Sequence, residues 1–150
     1  MHTLVQDAVA QGATLAAGGT YDGLFYRPTV LANPPKDAAA YSDEVFGPVA
    51  SVVSFATDDE AVDLASATDY GLSLGIVSRD GLAALDLARR IPTGIVHIND
   101  QTVNDEANAP FGGVGASGTG SRHGGAQANI DAFTETRWIT LRREPGHYPL

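Results

Sequence analysis

Read from its N-terminus, the chain alternates short helical stripes with short β-type runs, and that alternation predicts most of its elements. Leu4, Val5, Ala8 and Val9 recur at i, i+1, i+4 and i+5, a helical stripe that should end near Gly12. Gly18-Gly19 and Asp22-Gly23 mark turns. Phe25 to Leu31 then reads as a strand that Pro28 confines to an edge or an end. Pro34-Pro35 breaks the chain, and Val49 to Phe55 reads as a buried strand. Thr57 and Glu60 form a capping box, with Asp58, Asp59 and Glu60 in a first turn where the helix dipole favours acids. Those carboxylates are thereby explained without catalysis. The helix they open should end near Gly71, with Leu72 to Val77 as the next strand. From Asp80 or Gly81, the stripe Ala84, Leu87, Ala88 and Ile91 has the spacing of a core face, and Asp86 and Arg90 can pair on the outer side. Pro92 and Gly94 stop that helix before the strand Ile95 to Ile98. A last helix, about Gly125 to Phe133, precedes a β-rich segment from Thr134 to Leu141 in which Trp138 and Ile139 face opposite sides. The tail from Arg143 to Leu150 has turn composition.

Strand, helix, strand, helix, strand with short links predicts an α/β fold: two βαβ units in a mostly parallel sheet flanked by helices. A functional loop would then leave the carboxyl end of the third strand at Asn99, where open α/β sheets place their ligands.

Composition narrows the function classes. The 150 residues are about one domain's worth, and 43% apolar content suits a packed core. Eighteen acids against nine bases give a formal charge of −9, with Lys36 the single lysine, so nucleic acid and anionic membranes are not expected partners. The chain has no cysteine, which removes disulfides, thiolate metal sites and any cysteine nucleophile within it. His2, His97, His123 and His147 lack metal-ligand spacing, so no metal is expected. No apolar run approaches the roughly 20 residues of a membrane span. The residues after Met1 lack a signal-peptide pattern, which makes the cytoplasm the expected compartment.

The stretch from Pro110 to Gly125 holds seven of the 17 glycines. Gly113 to Gly118 satisfies G-x-G-x-x-G, but loop residues precede it and Thr119-Gly120 follows where a helix should open, so a dinucleotide cradle is disfavoured. A shaped loop that sets Phe111 against something is expected instead. Gly115-Ala116-Ser117-Gly118 misses the serine-hydrolase spacing. His97, mid-strand in apolar company, reads as a satisfied structural histidine, His123 as exposed, and Glu44, taken alone, as a solvated loop acid.

Four motifs in register change that reading. Glu44-Val45-Phe46-Gly47-Pro48-Val49, Asp69-Tyr70-Gly71-Leu72, Gly94-Ile95-Val96-His97-Ile98-Asn99, and Pro110-Phe111-Gly112-Gly113 with Ser117-Gly118-Thr119-Gly120 resemble the C-terminal third of an NAD(P)-dependent aldehyde dehydrogenase, across roughly Val5 to Arg142. The glycine loop and Ala132-Phe133-Thr134-Glu135 are similar to the benzaldehyde and vanillin dehydrogenase branch. The resemblance implies that Glu44 hydrogen-bonds the nicotinamide-ribose hydroxyls, since a carboxylate can accept from both hydroxyls of a diol. It implies that Phe46 packs beside the nicotinamide of NAD or NADP, and that Phe111 lines the aldehyde pocket, where an aromatic wall suits an aryl substrate. Many relatives place a second pocket aromatic where this chain has Thr102-Val103-Asn104.

The same family uses a cysteine thiolate to attack the aldehyde, a glutamate to activate water, an oxyanion-stabilising asparagine and a separate dinucleotide domain, all upstream of the part resembled. Without cysteine the thiohemiacetal that precedes hydride transfer cannot form within this chain, so no catalytic residue is expected in it. Two function classes stay open. One is a piece of an aldehyde-oxidising oxidoreductase, inactive alone and completed by a missing N-terminal part; the other is a non-catalytic assembly or remnant module of the same fold. The expected organisation is a catalytic-domain part over residues 1–133 and an oligomerisation strand with tail over 134–150. The segment from Thr136 to Leu141 would join a second copy.

Overall fold

In a computed structural model, residues 1–146 are described; the end of the expected tail, with His147, lies outside them. The chain forms two compact units, Met1–Thr68 and Asp69 onward.

The first unit begins with α1 (His2–Ala10), β1 (Thr14–Ala17), β2 (Tyr21–Asp22), β3 (Phe25–Tyr26) and β4 (Thr29–Ala32). It continues with α2 (Ala39–Ser42), β5 (Val49–Val52) and α3 (Asp58–Ser66). The α1 stripe turns Val5 and Ala8 inward, where they cluster with Ala13, Leu31, Ala38 and Ala40. β4 is the central strand, antiparallel to β1 and parallel to β5, and its inward residues Thr29 and Leu31 are almost fully buried. The single predicted strand from Phe25 to Leu31 is split in two. Pro28 has no N–H to give a ladder, so β3 closes a hairpin onto β2 while β4 joins the main sheet. β5 forms with its predicted start but is mostly exposed rather than buried, because it is the outer strand of this three-stranded sheet. The α3 cap is as predicted: Thr57 Oγ1 accepts from the Glu60 amide at 3.2 Å, and Glu60 Oε2 accepts from the Ala56 amide at 2.8 Å.

The second unit contains β6 (Tyr70–Gly71), β7 (Ser73–Ile76), α4 (Gly81–Ala88), β8 (Ile95–Ile98), β9 (Val114–Gly115) and α5 (Ala126–Phe133). The unit β7–α4–β8 is the predicted parallel crossover, with Ser73 opposite Ile95 and Ile76 opposite Ile98. Asp80 caps α4 by accepting from the Leu82 and Ala83 amides at 3.0 Å, and the α4 stripe buries Ala84 and Ala88. On the outer face Asp86 pairs with Arg89 at 2.9 Å.

The class is α/β as predicted, with short antiparallel pairs (β1–β4, β2–β3 and β6–β9) beside the parallel ones. Residues 134–146 lie in no helix or strand, and Trp138 is 91% exposed. A strand is defined by its ladder, and among the described residues of one chain none pairs with the segment 136–141, whose expected partner is a second copy.

Candidate functional site

Asn99 marks where the site begins. It ends β8 with a left-handed φ of 60° that asparagine tolerates better than other side chains. Its amide donates to the Ile76 carbonyl at 2.7 Å, and its Oδ1 accepts from the Ser78 amide at 2.8 Å, so one residue closes the ends of both parallel strands. Asn33 does the same in the first unit. It has φ 50°, donates to Val52 O at 2.8 Å and accepts from the Ser54 amide at 3.4 Å. The repeated device was not legible in the sequence, where each asparagine stands merely after a β-type run.

The loop from Asn99 to Pro110 is tied down at several points. Ser73 Oγ donates to Thr102 O at 2.9 Å, Asn104 Nδ2 donates to Asp100 Oδ2 at 2.6 Å, and the Gly125 amide donates to Ala107 O at 3.3 Å. Phe111 then forms a reciprocal bridge with His123: its amide donates at 2.6 Å and its carbonyl accepts at 3.0 Å, with the two rings 5.3 Å apart. The loop does set Phe111 against a partner, and His123 is exposed as expected.

The G-x-G-x-x-G stretch is committed elsewhere. Val114–Gly115 pairs with β6, and the amides of Ala116, Ser117 and Gly118 donate to Asp69 O at 2.8 Å, Val114 O at 3.2 Å and Gly115 O at 3.0 Å. A phosphate would need those amides free, and α5 opens only at Ala126. The fingerprint is a turn scaffold.

Phe111 lines a cavity of about 290 Å³ together with Ile95, Val96, His97, Ala109 and Pro110 and with the polar residues Asn104, Asp105 and Glu106. Two of these lining residues, Asn104 and His97, are not candidates on sequence alone. Asn104 stands in the stretch where a second aromatic was looked for. His97 was read as a satisfied structural histidine, yet its Nε2 is buried with no hydrogen-bond partner among the described residues. Period-2 patterning places a histidine on one face of a strand but says nothing of what that face meets.

Glu44 and Phe46 lie in the first unit, on the link between α2 and β5. That link is drawn tight by the Gly47 amide donating to Val45 O at 2.9 Å and the Val49 amide to Gly47 O at 2.8 Å. Glu44 is exposed and no described residue bonds its carboxylate; Phe46 is 83% exposed. An uncommitted carboxylate two residues from an uncovered aromatic face fits a ribose diol beside a planar ring. Glu44 and Phe46 thus belong to one unit and Phe111 to the other. Among the described residues there is no group of acids and histidines able to hold a metal, and no helix is long and apolar enough to cross a membrane.

Comparison with known proteins gives this set of residues its context. The model of the aldehyde dehydrogenase family matches residues 1–139. A vanillin dehydrogenase from an Amycolatopsis strain is 62% identical over 149 residues, which are 99% of this chain and 31% of that protein. A benzaldehyde dehydrogenase [NAD(+)] from Pseudomonas putida is 44% identical over 99% of the chain and 30% of its own length. Among solved structures, a salicylaldehyde dehydrogenase from Pseudomonas putida G7, complexed with salicylaldehyde, superposes with a TM-score of 0.88 at 38% identity, over 99% of this chain and 30% of that one. The sequence therefore spans about a third of the relatives it matches. With the family model covering nearly all of its length and these identities behind it, the chain belongs to the aldehyde dehydrogenase family.

Proposed function

We propose that this chain is the C-terminal part of an NAD(P)-dependent aldehyde dehydrogenase that oxidises an aromatic aldehyde to the carboxylic acid. On this reading it works only when joined to the part carrying the nucleophile and the dinucleotide domain. The dinucleotide, when bound, accepts the hydride. Glu44 holds the ribose next to the nicotinamide, Phe46 packs against that ring, and Phe111 forms a wall of the aldehyde pocket. The observation that carries the reading is the Phe111 cavity, which joins the apolar residues Ile95, Val96, Ala109 and Pro110 to that aromatic ring, with His97, Asn104, Asp105 and Glu106 as its polar lining. The names of the relatives, vanillin and benzaldehyde dehydrogenase, support an aryl substrate. A cytoplasmic location is part of the same proposal.

Joined to a complete enzyme, Phe111→Ala is expected to raise KM for benzaldehyde about twofold to tenfold and to leave acetaldehyde nearly unchanged, since only the larger substrate uses the ring. Steady-state kinetics with both aldehydes decide the matter. Equal losses would move Phe111 from the pocket into the core.

The second reading, a non-catalytic assembly module, draws on one observation, the absence of cysteine. Both readings include assembly of residues 134–150 with another copy, with the β-type segment 136–141 becoming a strand when it pairs. Trp138, Ile139 and Leu141 are uncovered apolar side chains of the kind that mark interaction surfaces, and unpaired strand edges invite a second chain. The isolated chain is expected to be a homo-oligomer, a dimer by symmetry. Light scattering over a concentration series reading 15.6 kDa throughout would contradict this.

A further inference from the structure

We infer that Arg122 is a positioning residue that fixes the Phe111 wall by clamping the base of its loop to the entrance of β8. The half-buried guanidinium donates from Nη1 to the carbonyl of Gly94, at 3.3 Å, and to the carbonyl of Gly112. Gly94 immediately precedes β8, and its own amide donates to Gly71 O at 3.0 Å. Gly112 follows Phe111, and Arg122 precedes His123, so the clamp stands directly beside the reciprocal Phe111–His123 bridge. One cation thus joins the start of the strand, the turn after Phe111 and the residue opposite Phe111.

The chemistry calls for arginine. Both bonds leave the single nitrogen Nη1, whose two hydrogens lie fixed in the plane of a guanidinium that stays charged, so each carbonyl is met in a set direction. A lysine ammonium is a compact point charge on a flexible stem and holds neither carbonyl in a fixed direction. The close approach also explains Gly94: a Cβ there would collide with the Gly112 carbonyl and lie 2.6 Å from the Arg122 nitrogen. Without the clamp, the carbonyls of half-buried Gly94 and buried Gly112 lose a charged donor, and the bridge that aims Phe111 loses its support.

The consequence for substrate choice rests on the proposed role of Phe111; the clamp itself does not. The test is residue-resolved amide hydrogen exchange on the 150-residue chain, comparing wild type with Arg122→Met and Arg122→Lys. Arg122→Met is expected to speed exchange at Phe111 and His123 on the order of tenfold to a hundredfold. The Asn99 amide, bonded to Ile76, and the Arg89 amide at the end of α4 should keep their rates. Arg122→Lys should fall between the two. Unchanged exchange at Phe111 and His123 overturns the proposal, and so does a lysine variant matching wild type. Acceleration spread evenly over β7, α4 and β8, including complete unfolding of the milder Arg122→Lys chain, also overturns it, because Arg122 would then be general structural support. The Phe111→Ala kinetics fail only if the pocket assignment is wrong, so the two failures are distinguishable.

Discussion

Pure 150-residue chain given benzaldehyde and NAD is expected to produce no increase in absorbance at 340 nm. The chain has no thiol to attack the carbonyl, so the covalent adduct from which hydride leaves cannot form in it. Loss of the nucleophile from a covalent catalyst costs on the order of 10⁶ in turnover, and here the dinucleotide domain is missing as well. In the proposed function Glu44, Phe46 and Phe111 bind and orient, and none of them can replace that step. Steady NADH production scaling with the concentration of the 150-residue chain, after removal of any contaminating full-length dehydrogenase, would place a nucleophile among residues assigned other work.

The second large effect belongs to Glu44. In a complete enzyme, Glu44→Gln should lower kcat/KM about 10- to 150-fold, because replacing a charged acceptor by a neutral one removes roughly 1.5–3 kcal/mol. The fall should appear mainly in kcat. In the proposed role the carboxylate orients the nicotinamide end for hydride transfer, and contacts to the adenine end stay intact. Isothermal titration should accordingly show little change in Kd for NAD. A variant with wild-type kcat and KM would reduce Glu44 to the solvated loop acid that its exposure alone suggests.

Local chemistry made much of the fold readable in the sequence. The cap at Thr57, the helix start at Asp80–Gly81 and the run Ile95–Ile98 each depend on residues within a few positions of one another, and each forms as predicted. What stayed hidden depends on pairing between distant segments. Val49–Val52 has the composition of a buried strand, but its burial is decided by what lies on its outer side. Residues 136–141 have β-type composition without a ladder partner. The site divides in the same way. Phe111 stood out because its glycine loop is unusual, and Glu44 because of the motif around it. His97 and Asn104 meet only because the loop after Asn99 carries Asn104 back to β8, and Arg122 matters only because Gly94 and Gly112 are brought within reach of one guanidinium.

The central claim is that these residues are the closing third of an aromatic aldehyde dehydrogenase. It is tested most directly by a chimera in which this chain replaces the matching 31% of the Amycolatopsis vanillin dehydrogenase to which it is 62% identical. The account predicts that the chimera oxidises benzaldehyde or vanillin with NAD(P)⁺ at a rate within about tenfold of the parent, a loss of no more than about 1.4 kcal/mol in transition-state binding. A chimera that folds and assembles like the parent but shows no aldehyde-dependent absorbance at 340 nm would contradict it and leave the chain as a module of the fold without the function.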